Sequence, residues 1–229
     1  MIMKRPLIVE LAGPAGAGKS TLTAALSECD RNIRVGMFPN IRDLKSIPFF
    51  LLNTISLLPV FAAIYRNNKQ RPLTTQQMVI MAILHGWFRQ LRAANPANGE
   101  VIILDQGPIY MLSELIRFGP ANFRNTTSKW WRYVCDVWAD TLDIVICLDA
   151  PDPLLMKRIR ERGKGHGVKE HSDQWAIEFL ARYRDAQNEV INSMIADRRD
   201  LRMIQVDTSH VSQHEVVEKI LALLICKEA

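Results

Sequence analysis

Residues 13 to 20 run Gly13-Pro14-Ala15-Gly16-Ala17-Gly18-Lys19-Ser20, followed by Thr21 and the helix-forming stretch Leu22-Thr23-Ala24-Ala25-Leu26. This is the spacing GxxxxGK[ST], and it follows an apolar, strand-like run at Leu7 to Ala12, which is the context its chemistry needs. The glycines let the backbone curl until successive N–H groups point at one place, and a helix beginning there adds the positive end of its dipole. Such a concavity of donors fits a phosphate chain. Lys19 would reach the β- and γ-phosphates of ATP and Ser20 would offer a hydroxyl to Mg²⁺, with Gly13, Ala15, Gly16, Ala17, Gly18 and Thr21 completing the cradle. The plain alternative is a glycine-rich turn capping a structural helix. A dinucleotide fingerprint is disfavoured, because Lys19-Ser20-Thr21 leaves no glycine at its third position.

Two further places carry candidate chemistry. The run Val101 to Asp105 continues Gln106-Gly107-Pro108, which sets a carboxylate at the carboxyl edge of a sheet, where ligands bind in open α/β folds. Asp105 there can hold Mg²⁺ through water or take the proton of an attacking hydroxyl; its structural role would be to cap the next helix. Beyond Asp149-Ala150-Pro151-Asp152-Pro153, Arg158 and Arg162 stand four apart on one helical face, with Gly163, Gly165 and Gly167 as hinge residues. This predicts a lid over about 151–172 that closes on a triphosphate and neutralises charge on the transferred group, the alternative being a solvated basic helix. Lys19, Asp105, Arg158 and Arg162 are thus the candidate catalytic residues, and Ser20 and Asp105 the candidate metal ligands. His166 and His171 lack a zinc spacing and are expected at the surface. Trp130, Trp131, Tyr133 and Trp138 could stack on a base, but their helical spacing points to core.

Positioning these residues requires a sheet. Five apolar runs read as strands: Leu7 to Ala12, Arg34 to Phe38, Val101 to Asp105, Asp143 to Leu148 and Arg202 to Val206. Helical stretches separate them, and the third and fourth are apolar on both faces, as parallel strands covered from both sides are. The expectation is one α/β domain over 1–229 with a helical insertion at about 40–98. That insertion holds the uncharged stretch Ser46 to Tyr65. Pro48, Asn53, Ser56 and Pro59 interrupt it, and a single crossing would keep the strands on either side from sharing a sheet, so the expectation is a buried helical pair or a subunit interface, with Phe49, Phe50, Leu57, Leu58 and Phe61 packed inside. A membrane-surface role is the minority alternative.

The 229 residues are 48% hydrophobic and 23% charged, which excludes a disordered or collagen-like chain. Four cysteines without a CxxC pair exclude a disulfide scaffold and suit a reducing compartment. The N-terminal apolar run ends in the glycine loop and not in a cleavage site, so a cytoplasmic location is expected. A net charge of +5 favours anionic partners, but no recognition helix or RNA-binding signature argues for nucleic acid.

The phosphate loop, the strand-end Asp105, the segment from Leu148-Asp149-Ala150-Pro151 to Arg162-Gly163-Lys164, and Phe179-Leu180-Ala181-Arg182-Tyr183-Arg184 together resemble the thymidylate kinase branch of the P-loop nucleoside and nucleotide kinases. Val206-Asp207-Thr208-Ser209 looks like that family's adenine-side loop. The resemblance implies a five-stranded parallel sheet of order 2-3-1-4-5 between helical layers, a lid, and Mg·ATP-dependent phosphoryl transfer to a small-molecule acceptor such as a nucleoside monophosphate, with homodimerisation an option. Two departures bear on the acceptor. Gln106 stands where thymidylate kinases typically carry an Arg that grips the acceptor's phosphate, and Phe38-Pro39-Asn40-Ile41-Arg42-Asp43 replaces their acidic-Pro-Gly sequence, leaving Arg42 as a substitute anion ligand. A nucleotide-driven switch is the rival reading, though Asn68-Lys69-Gln70-Arg71 lacks the Asp of a guanine signature and follows no strand; a kinase with an apolar or lipid acceptor is another.

Overall fold

The computed structural model describes residues 5–67, 72–93, 100–120, 123–163, 165–196 and 201–225. Asn68 to Arg71 and Lys164, used in the reading above, and Cys226, one of the four cysteines, lie outside the described residues.

Alternation along β1 (Leu7–Ala12) sorts the molecule into layers. Ile8 and Ala12 join one buried cluster and Val9 and Leu11 the other, the period-two pattern of a strand covered on both faces. β1 lies at the centre of a parallel sheet of order β2-β3-β1-β4-β5, with β2 (Ile33–Val35), β3 (Val101–Leu104), β4 (Ile144–Asp149) and β5 (Arg202–Asp207). Register pairs Glu10 with Leu104 of β3 and with Val145 of β4. The Val9 side is covered by α1 (Lys19–Cys29), α7 (Asp152–Glu161), α8 (Gly167–Glu170) and α10 (Gln213–Ile225). The Ile8 side is covered by α2 (Ile47–Asn67), α3 (Thr75–Ala93), α4 (Pro108–Phe118), α5 (Phe123–Thr126) and α6 (Ser128–Ala139). The long α9 (Asp173–Ile195) serves both, with Leu180 in the Val9 cluster and Val190 in the Ile8 cluster.

The strand order is the expected one, with bounds adjusted at the edge. β2 starts at Ile33 and ends at Val35, although Gly36 N–H still donates to the Ile103 carbonyl at 2.8 Å. Gly36 is pressed against Ile102 and Leu104, where a Cβ would come within 2.4 Å of Leu104, and Pro39 just beyond cannot donate to a ladder, so the chain leaves the sheet early. Met37 and Phe38, expected inside the strand, are exposed.

The helical insertion folds as a pair. Thr74 and Gln77 form a reciprocal capping box that starts α3, the Thr74 N–H donating to Gln77 Oε1 at 2.9 Å and the Gln77 N–H to Thr74 Oγ1 at 3.2 Å. α2 buries Phe50, Asn53, Leu57 and Ile64, one side chain at each turn or two, against α3. The closest approach is at Gly86, where a Cβ would lie 2.4 Å from the Asn53 amide nitrogen. Burial of the uncharged stretch is one-sided, however: Phe49 and Phe61 are half-buried, and Leu58, expected inside, is exposed. The tryptophans are core as their spacing implied. Trp138 is fully buried, donates from Nε1 to the Leu84 carbonyl at 2.9 Å and packs on Trp87, while Tyr133 lies at the rim. Cys135 is buried, and burial holds its thiol up to about 12, so it is an inert core residue.

If the Gly86 contact fixes the α2–α3 distance, Gly86→Val forces the helices apart and lowers unfolding free energy by about 1–3 kcal/mol, while Gly163→Val, at a glycine with open space around it, leaves it near wild type. Urea titration of both variants checks this.

Candidate active site

The chain leaves β1 at Gly13 with φ of 140°, and a Cβ there would lie 2.1 Å from the Leu148 carbonyl oxygen of β4, so only glycine fits. It enters α1 through Gly18, left-handed at φ of 94°, with no side-chain cap and no carboxylate in the first turn. The helix therefore starts with a bare positive end. Against it lies a cavity of about 290 Å³ whose near wall is Gly16, Ala17, Gly18 and Thr21 and whose far wall includes Arg158 and Arg162. Four of the expected cradle residues and both lid arginines thus line one space, while Gly13, Ala15, Lys19 and Ser20 are not part of its wall.

Lys19 Nζ donates to the carbonyls of Gly13, at 2.6 Å, and Pro14, at 3.0 Å, so its ammonium is curled over the loop it belongs to. Burial pushes its pKa down to about 8; Asp105 and Glu10 oppose that fall and Arg162 adds to it. A half-buried ammonium held on two carbonyls is poised to exchange them for phosphate oxygens. Next to it, Ser20 Oγ donates to Asp105 Oδ2 at 2.7 Å, which joins the end of β3 to the first turn of α1. Asp105 Oδ1 is buried and has no partner among the described residues. A hydroxyl, a carboxylate and an unclaimed carboxylate oxygen are hard donors that fit Mg²⁺. No cluster of three His, Cys, Asp or Glu side chains occurs among the described residues, so a cation here would keep water and phosphate as its other ligands, which is Mg²⁺ behaviour.

The two lid arginines are placed differently. α7 buries Leu155, Met156 and Ile159 and is part of the covering layer. Its start is fixed by Arg184 of α9, which forks onto Asp149 at 2.8 and 3.0 Å, donates to the Ala150 carbonyl at 3.1 Å and pairs with Asp152 at 2.7 Å. Arg158 is braced: its guanidinium donates to Thr208 Oγ1 at 2.9 Å and to the Thr208 carbonyl at 2.8 Å, while Thr208 N–H donates to the Asp149 carbonyl at 2.9 Å. One side chain therefore ties α7 to the loop after β5. Arg162, just past the end of α7, is exposed at the cavity. His166 departs from expectation. It is half-buried against Phe179, and its Nδ1 accepts the Val168 N–H at 3.2 Å, so it caps α8; burial, with Arg162 and Arg117 nearby, holds its pKa below the ordinary histidine value. His171 is exposed and stacks on Trp175. Gln106 and Arg42 are both exposed.

One residue escapes any reading of motifs. Glu10 sits in the middle of β1, fully buried, and its carboxylate accepts the Ile109 N–H on Oε2 and the Tyr110 N–H on Oε1, each at 3.1 Å. It caps α4 from beneath the sheet face, and Gly107 is needed above it, since a Cβ there would lie 2.5 Å from the carboxylate carbon. Burial raises its pKa to about 8 against the pull of the two amides and Lys19. The signal in the sequence was a lone carboxylate in a run that both layers cover. A second group, on α4, follows from it: Arg117 pairs with Glu114 at 2.8 Å and lies over the rings of Phe179 and Tyr183.

Glu10 gives stability a definite pH slope. Between its ordinary value near 4.5 and about 8, the folded state holds a proton that the unfolded chain has lost, so stability falls as pH rises through that window. Lys19, lowered from 10.5 to about 8, acts in the opposite sense above pH 8. Glu10→Gln removes the falling limb, so the difference in melting temperature between wild type and variant narrows steadily from pH 5 to pH 8. Parallel curves in a buffer series would show that Glu10 does not titrate there.

The sequence matches no protein-family model and no curated protein. Solved structures match it over nearly its whole length. A deoxyadenosine kinase from M. mycoides with bound dATP is 20% identical, with a TM-score of 0.51, covering 95% of this chain and 99% of that one. The YorR protein of Bacillus subtilis, in complex with phosphorylated GDP, is 19% identical, with a TM-score of 0.53 and coverage of 96% and 97%. A thymidylate kinase from Candida albicans is 15% identical, with a TM-score of 0.57 and coverage of 98% and 93%. At these identities the likeness is one of architecture, and by architecture this chain has the P-loop α/β fold in which deoxyadenosine and thymidylate kinases are built.

Proposed function

We propose that this chain is a Mg·ATP-dependent kinase of small molecules, with a nucleoside monophosphate or a related metabolite as acceptor. The observation that carries the reading is the desolvated Lys19 ammonium on the Gly13 and Pro14 carbonyls, beside the Ser20–Asp105 pair at the bare start of α1. The named kinases of like fold support it.

In this reading Lys19 leaves its two carbonyls for the β- and γ-phosphates, and the first amides of α1 take the remaining phosphate oxygens. Arg158, held on Thr208, lines the nucleotide cavity. Arg162 closes from the rim as negative charge grows on the transferring group. An acceptor oxygen attacks the γ-phosphorus, the bond from that phosphorus to the β–γ bridging oxygen breaks, and ADP leaves. Where the acceptor is a hydroxyl, Asp105 receives its proton. Magnesium, held by Ser20 and Asp105 when bound, supplies charge neutralisation at the phosphates. Gln106 brings no cation to the acceptor side, which favours an acceptor other than thymidylate.

Purified protein incubated with Mg·ATP and a panel of nucleoside monophosphates, nucleosides, sugars and lipid alcohols names the acceptor by the compound that stimulates ADP release. Slow release that no compound stimulates would turn the reading to a nucleotide-driven switch. Lys19→Ala should cut stimulated turnover by about 10²-fold or more with the circular dichroism spectrum unchanged.

The arginines should separate in steady-state kinetics. Arg162→Ala lowers kcat by roughly tenfold or more with little change in KM for ATP, because its contact belongs to the transition state. Arg158→Ala chiefly raises that KM, because it releases the Thr208 loop from α7. Equal effects of both variants on kcat and KM would refute the division of roles.

A further inference from the structure

Helix α2 is apolar on the side that the fold leaves uncovered. At 100° per residue, Ile47, Leu51, Leu52, Ile55, Leu58 and Tyr65 fall within an arc of roughly 140°, opposite the buried Phe50, Asn53, Leu57 and Ile64. Each of the six is at least 50% exposed. A surface helix of a soluble domain normally turns charged residues outward, yet none occurs between Lys45 and Arg66. The patch extends through the exposed Leu44 of the preceding 3₁₀ turn to Ile41 and Met37, which follow β2 at the sheet's carboxyl edge. So many exposed large apolar side chains on one helix and the turn before it mark an interaction surface rather than scattered surface residues.

The helix is long and apolar enough to cross a membrane, but its inner face rules that out for this fold. A crossing would strip Phe50, Leu57 and Ile64 from the core and carry Asn53, which accepts from Arg89 at 3.4 Å, into hydrocarbon. α2 is held along the body of the protein, so whatever covers it meets a surface. Charge identifies that surface. Arg42 and Lys45 are exposed at one end and Arg66 at the other; the exposed Asp43, which accepts the Lys45 N–H at 3.1 Å, offsets one of these charges and leaves a net cation at each end. Two copies paired along this face would set cation on cation: Lys45 near Arg66 if antiparallel, like on like if parallel. A layer of anionic headgroups meets both ends favourably.

We propose that α2 is a membrane-docking face that lies in the interfacial plane of an anionic bilayer. Ile47, Leu51, Leu52, Ile55 and Leu58 enter the acyl boundary, and Arg42, Lys45 and Arg66 sit among the headgroup phosphates. The sheet edge that carries Asp105 is then held close to the lipid surface through the loop from Met37 to Ile41. The inference stands independently of phosphoryl transfer, since it concerns residues outside the nucleotide cavity.

Co-sedimentation with vesicles of phosphatidylcholine containing roughly 30% phosphatidylglycerol tests it, with pure phosphatidylcholine vesicles and 0.5 M salt as comparisons. Wild type should bind the anionic vesicles, bind the neutral ones at least tenfold more weakly, and keep part of its binding at high salt because the apolar contact is not screened. Leu52→Glu with Leu58→Glu, both at exposed sites, should weaken binding on the order of 100-fold with thermal stability retained. Lys45→Glu with Arg66→Glu, which leaves the apolar face intact, should weaken it tenfold or more at low salt. Lys19→Ala should bind as wild type does, so loss of kinase activity and loss of docking are told apart. Wild type left in the supernatant at low salt, or leucine variants that bind undiminished, would overturn the proposal. A solution dimer that the leucine variants dissociate, in a protein that ignores vesicles, would assign the face to a second copy.

Discussion

A carboxylate inside a sheet holds the candidate site together. Glu10 accepts the first amides of α4 from the buried face of β1, beside Leu104 in register, so it stands next to the residue that precedes Asp105. The same strand runs on into Gly13. Glycine loop and strand-end carboxylate are thereby referred to one rigid side chain, and the 2.7 Å bond from Ser20 to Asp105 spans a gap whose two sides are already fixed. Two hydrogen bonds from amides to a charged acceptor are worth about 1.5–3 kcal/mol each, whereas desolvating a carboxylate costs several kcal/mol. Burial prevails and pushes the carboxyl up to about 8 against the two amides. Glu10 is thus better understood as fixing geometry than as adding stability, in the way strained or costly groups gather around functional sites.

The site's electrostatics follow from the same economy of space. Lys19 is desolvated beside Glu10 and Asp105 and within reach of the Arg162 charge, so its ammonium is costly where it stands. Arg158 avoids that cost by spending its donors on Thr208, and Arg184 by spending its own on Asp149 and Asp152. Arg158 and Arg184 are thus committed to scaffolding by carboxylate or hydroxyl partners, whereas Lys19 is held only by two loop carbonyls and the Arg162 guanidinium has no partner among the described residues. An anion entering the space gains most from the latter pair.

Local patterns made much of this legible. The glycine loop, the strand-end Asp105 and the apolar runs announce themselves because their chemistry depends on near neighbours in sequence, and the strand order followed from the resemblance they support. What stayed hidden depends on distant partners. Glu10 looked like one polar residue in a strand until α4, a hundred residues on, supplied the amides it caps. Arg158 shares a helical face with Arg162, but its partner is fifty residues away on another loop, and no spacing rule links them. His166 resembled a surface histidine because the ring it packs on, Phe179, belongs to the next long helix. In the uncharged stretch Phe50 and Leu57 are inside as expected but Leu58 is not, because composition could not tell which apolar residues would find no cover.

That last ambiguity has a structural origin in the edge of the sheet. β2 pairs on one side only and keeps three residues in its strand; its last ladder bond is from Gly36 N–H to Ile103, and Pro39 just beyond cannot donate another. The chain must then travel over the surface to reach α2, and the layer it joins is already filled by α3, α4 and α6 against β1 and β3. α2 is therefore an outer helix, able to bury one face against α3 and no more. A sequence selected only for a soluble fold would make its outer face polar at small cost to the core, since side chains such as Leu52 and Leu58 contribute nothing to it. Their apolar character has to be explained by something the folded chain meets, and the explanation must also account for cations at both ends of the same helix.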